Sequence, residues 1–249
     1  MWWLGLINYH LVEETMMNDV TALNQQFENA HPQALLQWAA DTFQERLALV
    51  TSFQPSGLVM LHMLQEIAPN VTILTLDTGL LFPETYRLIE HWEETFNLNV
   101  VRVRPAQTVE QQAESEGAAL WARDPNLCCN LRKTIPLGNV LNGYEAWITG
   151  IRRDQAETRR HSPVISWDEK YNNLKLAPMA TWTEDMVWTY IHAYDLPYNA
   201  LHDQHYLSIG CAPCTRAVIV GEDARAGRWS GQAKIECGIH IPQVLEKNS

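Results

Sequence analysis

"LALVTSFQPSGLVMLHMLQEIA", Leu47–Ala68, is the stretch that decides the fold. "LALVTS" reads as a short buried strand, "FQPSG" as the punctuation after it, and the apolar run that follows as a helix. A strand this uniformly apolar belongs in a sheet covered on both faces, which in turn means parallel neighbours. The unit recurs downstream. "VTILTLD" (71–77) ends in "TGLLFPET" and leads into a helix near Glu84–Phe96. "NVVRVRP" (99–105) precedes helical segments reaching about Arg123, and "YEAWITG" (144–150) is a fourth strand. Upstream, Val20–Phe27 and "PQALLQWAADTFQERL" keep helical spacing, with Leu35, Leu36, Ala39, Ala40 and Phe43 on one face. The expectation is an α/β fold: a mostly parallel sheet with helices on both faces.

Ligands of such sheets bind beyond the carboxyl ends of the strands. "SFQPSG", "LDTG" and "TGIRR" all fall there. Past about residue 165 the strand pattern loosens. "WTEDMVWTYIHAY" is a helix, and from Leu196 the chain reads as loops and short turns. The segment from about Arg228 shows no periodicity and is expected to be mobile without substrate.

At 249 residues and 46 % hydrophobic, the chain can bury a full core as one large domain. The opening "MWWLGLINYHLVEETMM" is apolar for too short a run, and lacks the basic flank, to be a signal peptide or a membrane span. Residues 1–17 are read as an N-terminal extension, 18–227 as a single α/β domain and 228–249 as a C-terminal tail. The net charge of −11 is lopsided: residues 1–122 carry 4 of the 18 basic and 15 of the 29 acidic side chains, whereas the rest balances to zero. An acidic chain without a basic face is no general nucleic-acid binder. Its cations cluster in "LRK", "IRRDQAETRR" and "TRAVIVGEDARAGR", beside the cysteine motifs, which points to an anionic small molecule.

Five cysteines without a secretory signal place the thiols in a reducing, cytoplasmic setting, available for metal or chemistry. Cys128 and Cys129 are adjacent in "NLCCNLRK"; "GCAPCT" supplies Cys211 and Cys214. Two pairs make four thiolates, enough for a closed zinc site or an iron–sulfur cluster. Neighbouring ligands splay more naturally onto different irons than onto one zinc, so the cluster is favoured and zinc is the alternative. "SFQPSG" offers Ser52, Phe53, Ser56 and Gly57 as a turn and helix N-terminus facing an anion, or merely as a connection. Leu76, Asp77, Thr78 and Gly79 form a turn and helix cap or the wall of an adenosine pocket, two readings that do not exclude each other. Cys237, in "ECGIH", is an incidental thiol or a nucleophile waiting to be delivered. Glu236 beside it works against a thiolate, so activation is expected from Arg225, Arg228 or the region of Lys133.

The ordered set "SFQPSG", "LDTGLLFPET", "CCNLRK", "TGIRRDQAETR", "GCAPCTR", "GEDARAGRW" and "ECGIH" closely resembles the assimilatory adenylyl-sulfate reductases of the phosphoadenylyl-sulfate reductase family. The match runs from about Ala48 to His240. The resemblance implies an adenine nucleotide alpha hydrolase-like fold, related to ATP pyrophosphatases. It implies a 4Fe-4S cluster on Cys128, Cys129, Cys211 and Cys214, and Cys237 as the nucleophile; Lys133 is a candidate catalytic cation, and His240 either assists a proton or is simply exposed. Relatives restricted to the 3′-phosphorylated nucleotide typically lack the two cysteine pairs, so adenylyl sulfate is the expected substrate and 3′-phosphoadenylyl sulfate the alternative. Arg159, Arg225 and Arg228 are expected on the phosphate and sulfuryl oxygens. Cys237 would take the sulfuryl group as an S-sulfo adduct, and thioredoxin would release sulfite. Relatives are commonly homodimers or homotetramers. Transfer-RNA thiolation and a non-catalytic, zinc-stabilised nucleotide-binding module are the rivals; the first would need an ATP-type glycine-rich loop and a basic face that are not visible.

Overall fold

A computed structural model of the chain describes residues 19–240. The expectations placed on residues 1–17, and on the last nine residues of the tail, lie outside the described residues.

Residues 19–27 form helix α1. Helix α2, Pro32–Phe43, starts on a proline whose missing N–H costs nothing at a helix start. It stops at Gln44, which sits at φ 50°. Strand β1 (Leu47–Val50) then enters α3 (Pro55–Ile67), β2 (Thr72–Leu76) enters α4 (Pro83–Phe96), and β3 (Val100–Val103) is followed by α5 (Val109–Glu116). Short helices α6 (Leu120–Arg123) and α7 (Pro125–Cys129) lead into α8 (Ile135–Leu141) and β4 (Ala146–Thr149). The chain closes with β5 (Ile165–Asp168), β6 (Asn173–Leu176) and α9 (Glu184–Ala193).

The six strands lie in the order β3-β2-β1-β4-β6-β5, all parallel except β5, which runs antiparallel to β6. Successive residues of β1 alternate faces. Leu47 and Leu49 join the larger core with α2, α3 and α9, while Ala48 packs on the other face with Leu74, Trp147, Leu137 and Leu141. Both faces are therefore covered, as the apolar strands require.

Two strands were not expected. "ISWD" and "NLKL" are four residues each and carry charges, too short and too polar for an apolar-run criterion. The order reverses beside β1: the chain runs outward to β2 and β3, then returns to the opposite side of β1 as β4. This is the topological switch point of the sheet, and its crevice opens between the carboxyl ends of β1 and β4.

Candidate active site

A cavity of about 270 Å³ occupies that crevice. Its floor is the end of β1 (Val50–Ser52), the first turn of α3, and Thr149–Arg152 after β4. The turn into α3 is shaped by sterics. Phe53 takes φ 54°, its amide donates to Thr51 Oγ1 at 3.0 Å, and its ring is fully buried. Gly57 packs so closely on Thr51 that a Cβ would run into the Thr51 hydroxyl. Gln54 caps α3 through its backbone, and its side-chain oxygen accepts from the Ile209 amide at 3.1 Å. Pro55 is the helix's first residue. The positive end of the helix dipole thus faces the cavity, an arrangement suited to phosphate.

Of the residues singled out in the sequence, Ser52, Ser56, Gly57, Leu76, Thr78, Lys133, Arg159, Arg225, Arg228, Cys237 and His240 all line this cavity. Phe53, Asp77 and Gly79 do not. Asp77 turns away to accept from Tyr86 Oη at 2.7 Å, Arg104 Nε at 2.9 Å and the Gly79 amide at 3.1 Å. Burial works to raise its pKa, but these donors outweigh it and hold the carboxyl below its ordinary range. Gly79, at φ 68°, makes the turn that lets the segment double back.

Sequence reading missed Arg152. It is 5 % exposed, lines the cavity, and donates through Nη1 to Ser56 Oγ at 2.8 Å and through Nε to Asp154 at 2.9 Å. Its place directly after a strand end was the available signal.

The four paired cysteines line one adjoining pocket, together with Arg132, Lys133 and Trp229. Local structure brings them there. Pro136 lacks an N–H and would crowd the Arg132 carbonyl in a regular helix. The chain instead makes a π-helical turn over Asn130–Thr134, in which the Ile135 amide reaches back to the Asn130 carbonyl. Such wide turns favour functional sites, and here Cys128, Cys129, Arg132 and Lys133 are all buried. Facing them, the Ala212 amide donates to the Leu80 carbonyl at 2.7 Å, and Thr78 Oγ1 lies 3.3 Å from Cys211 Sγ, so "LDTGLL" and "GCAPC" are stitched together. Among the described residues, no group of three or more His, Cys, Asp or Glu side chains is drawn together as around a bound metal ion.

The pocket is electrically tense. Burial raises Cys128 and Cys129, and burial with the neighbouring Cys211 pushes Cys214 up to about 11. For Cys211, burial is outweighed by Lys133, and the thiol is lowered. Lys133 belongs to both spaces. Its burial favours the neutral amine, but the sulfurs of Cys211, Cys129 and Cys237 outweigh that and keep it charged.

Residues 228–240 pack back onto the body. Arg228 crosses the face of Trp229 at 4.5 Å, a path that a Cβ at Gly210 would obstruct. Its Nη1 reaches Ser208 Oγ at 3.3 Å, while its buried Nε has no partner. Among the described residues, no carboxylate pairs with Lys133 or Arg228. The expectation that Glu236 opposes its neighbour's thiolate is corrected here. Glu236 is held between Arg159, at 2.8 Å, and Arg225, at 3.2 Å, so its charge is cancelled locally. His240 stacks on Trp147 at 5.8 Å. Burial, then Lys175, Arg159 and Arg225, drive its pKa well below the usual value, so it is neutral at pH 7.

Fold and site together define an α/β protein with a cation-lined cavity at its switch point, one thiol facing that cavity and four in the adjoining pocket. Residues 46–217 match the model of the phosphoadenosine phosphosulfate reductase domain, and the chain belongs to that family. It is 49 % identical over 222 residues to the adenosine 5′-phosphosulfate reductase of Salinibacter ruber, covering 89 % of this chain and 88 % of that one. It is also similar to the crystal structure of a phosphoadenylyl-sulfate reductase from Candida auris, a phosphate complex, at 30 % identity and TM-score 0.71, covering 80 % and 96 % of the two chains. The FMN adenylyltransferase of Candida glabrata shares the fold alone, at 15 % identity and TM-score 0.56, over 79 % and 66 %. The expected fold, an adenine nucleotide alpha hydrolase-like α/β sheet, is the one found.

Proposed function

We propose that this protein is an oxidoreductase that reduces adenylyl sulfate to sulfite and AMP in sulfate assimilation. The observation that carries the reading is that Cys237, Lys133 and Arg228 face the same cavity as the first turn of α3. The α-phosphate sits at the N-terminal end of α3, where the helix dipole is positive. Lys133 and Arg228, which have no carboxylate partner among the described residues, neutralise the sulfuryl oxygens. The Cys237 thiolate attacks the sulfuryl sulfur; the bond from that sulfur to the bridging oxygen breaks, and AMP leaves with the electron pair. One thiol of a dithiol reductant of the thioredoxin class then attacks Cys237 Sγ, sulfite departs with the S–S electron pair and a mixed disulfide remains; the second thiol attacks the reductant's sulfur in that bond, closes the reductant's disulfide and releases the Cys237 thiolate. The dithiol supplies both electrons. His240, neutral and half-buried, lines the same cavity as Cys237.

The donor set of the adjoining pocket fits a 4Fe-4S cluster: four cysteines in one closed space, flanked by Arg132 and Lys133 to balance added negative charge. When bound, such a cluster supplies fixed charge beside Lys133 rather than electrons for this reaction. Among the described residues, no helix is long and apolar enough to cross a membrane. The thiol chemistry fits a reducing, cytoplasmic setting.

The test omits the reductant. Protein mixed with adenylyl sulfate is expected to carry a sulfonate on Cys237 by peptide mass spectrometry, and Cys237→Ser none; an adduct on the Ser variant would overturn the assignment. Comparison of kcat/KM for adenylyl sulfate and its 3′-phosphorylated form decides the substrate.

A further inference from the structure

The segment bearing Cys237 is gripped on both sides of the thiol. Before it stands Glu236, 5 % exposed. Arg159 donates to its carboxylate through Nε at 2.9 Å and Nη2 at 2.8 Å, Thr158 Oγ1 at 3.1 Å, and Arg225 Nη2 at 3.2 Å. The third nitrogen of Arg159, Nη1, is taken by Gln155 Oε1 at 2.6 Å, so that guanidinium is engaged within the protein at every nitrogen. After the thiol, Lys170 Nζ donates to the Gly238 carbonyl at 2.9 Å, from the turn between β5 and β6. Gly238 itself takes φ 85°, a turn that suits glycine.

We propose that Glu236 is a positioning residue: its carboxylate docks the tail into the Arg159–Arg225 socket and thereby seats Cys237 in the cavity, leaving Arg228 and Lys133 for the substrate's oxyanions. The proposal rests on the reading of Cys237 as the nucleophile, and three observations support it. The pairing with Arg159 is bidentate, the geometry in which a guanidinium fixes direction as well as distance. The socket is assembled from two segments distant in sequence, the loop after β4 and the loop before Trp229, so it forms only in the folded body. A carboxylate next to a nucleophilic thiolate would repel it if free, but two guanidiniums reverse the local sign. Orientation of this kind contributes to the chemical step rather than to nucleotide affinity.

The experiment uses the full chain, purified anaerobically, as wild type, Glu236→Gln and Glu236→Asp. Three rates or constants are read: alkylation of Cys237 by iodoacetamide without nucleotide, followed by mass spectrometry; AMP affinity; and single-turnover formation of the Cys237 sulfonate at saturating adenylyl sulfate. For Glu236→Gln, loss of one charge of a buried pair is expected to speed alkylation about tenfold, slow sulfonate formation about tenfold, and leave AMP affinity within about threefold. Glu236→Asp should fall between. Alkylation and sulfonate rates within about twofold of wild type would overturn the proposal. So would weaker AMP binding with an unchanged single-turnover rate, because Glu236 would then act on substrate affinity. Should the Glu236 variants not fold, Lys170→Met decides: faster alkylation supports a seated thiol, and an unchanged rate overturns it. A wild type that alkylates as expected yet forms no sulfonate removes the nucleophile reading and leaves the seat standing.

Discussion

Arg152 Nη1 donates to Ser56 Oγ at 2.8 Å, which ties the loop after β4 to the first turn of α3 directly across the switch point. The two strands that frame the crevice, β1 and β4, are neighbours through backbone bonds; this side-chain bond fixes the spacing of the loops beyond them. The contact is buried at both ends, so neither partner is exchangeable with water.

Arg152→Met leaves Ser56 without this donor, while Asp154 keeps only the Glu184 amide, at 2.6 Å. A broken buried ion pair costs about 3–5 kcal/mol. Asp154 keeps 34 % of its side chain in water, which lowers the expectation to about 2 kcal/mol. Ser56→Ala, which leaves Arg152 paired with Asp154, should cost about 1 kcal/mol. Urea unfolding of the two variants should rank them in that order. AMP affinity should weaken in both, because α3's first turn loses its tether. An Arg152→Met protein as stable as Ser56→Ala would mean the guanidinium is not supported by the contacts described.

Gly57 has a simpler constraint. A methyl there meets the Thr51 hydroxyl, which is itself occupied by the Phe53 amide. Gly57→Ala is expected to lose AMP binding by at least about tenfold, with about 1–3 kcal/mol of stability, the usual cost of overpacking. Thr51→Ala in the same chain removes the obstructing oxygen and should restore part of both. Without any restoration, the collision is not what makes the glycine necessary.

Which parts were legible in advance follows from how local each determinant is. The β1–α3 unit declares itself within 22 residues, since apolar strand, Ser/Gly turn and helix are adjacent in the chain. The rule that ligands sit beyond strand ends then found "SFQPSG" and "TGIRR" without coordinates. Thiol type and pairing singled out Cys128, Cys129, Cys211 and Cys214 as four candidate ligands; they line one pocket, and among the described residues they are not drawn together as around a metal. Asp77 illustrates the limit. Its neighbours in sequence suggest a pocket wall, yet its partners Tyr86 and Arg104 come from the next helix and strand end, and they turn it outward. Glu236 is the sharper case. Judged by its immediate neighbours it opposes a thiolate, and only Arg159, 77 positions earlier, reverses that conclusion. Strands β5 and β6 were hidden because pairing, not composition, makes them: "NLKL" gains its place by lying against β4.

His202 gives a pH signature independent of the site. Its ring is half-buried edge-on against Trp188 at 5.3 Å, its buried Nε2 has no partner among the described residues, and desolvation lowers its pKa to about 4. The unfolded chain binds this proton near pH 6.5, whereas the folded chain refuses it until about pH 4. Its contribution is therefore complete above pH 6.5, declines as pH falls through that window, and is gone below about pH 4. The span is worth on the order of 3 kcal/mol. His202→Leu should flatten the slope of unfolding free energy between pH 6.5 and 4, whatever it does to the absolute level. An unchanged slope would mean that the imidazole titrates freely in the folded protein.

Lys133 joins the two spaces, and a charge in that position separates chemistry from cofactor retention. Anaerobically purified wild type is expected to be coloured, with iron and acid-labile sulfide in matching amounts; colourless protein carrying zinc would remove the cluster assignment. Cys129→Ser and Cys214→Ser should lose the colour. Lys133→Met should keep it, since all four thiols remain. It should nevertheless lose about 10²–10³ in kcat/KM, the usual effect of deleting one oriented positive donor from a charge-stabilising site. Lys133 faces the same cavity as Cys237 and the same pocket as Cys211, so its removal withdraws one positive charge from both spaces. Unimpaired turnover in a coloured Lys133→Met protein would leave Arg228 to neutralise the sulfuryl group alone, and the π-helical turn that delivers Lys133 would then serve only to carry the adjacent cysteines.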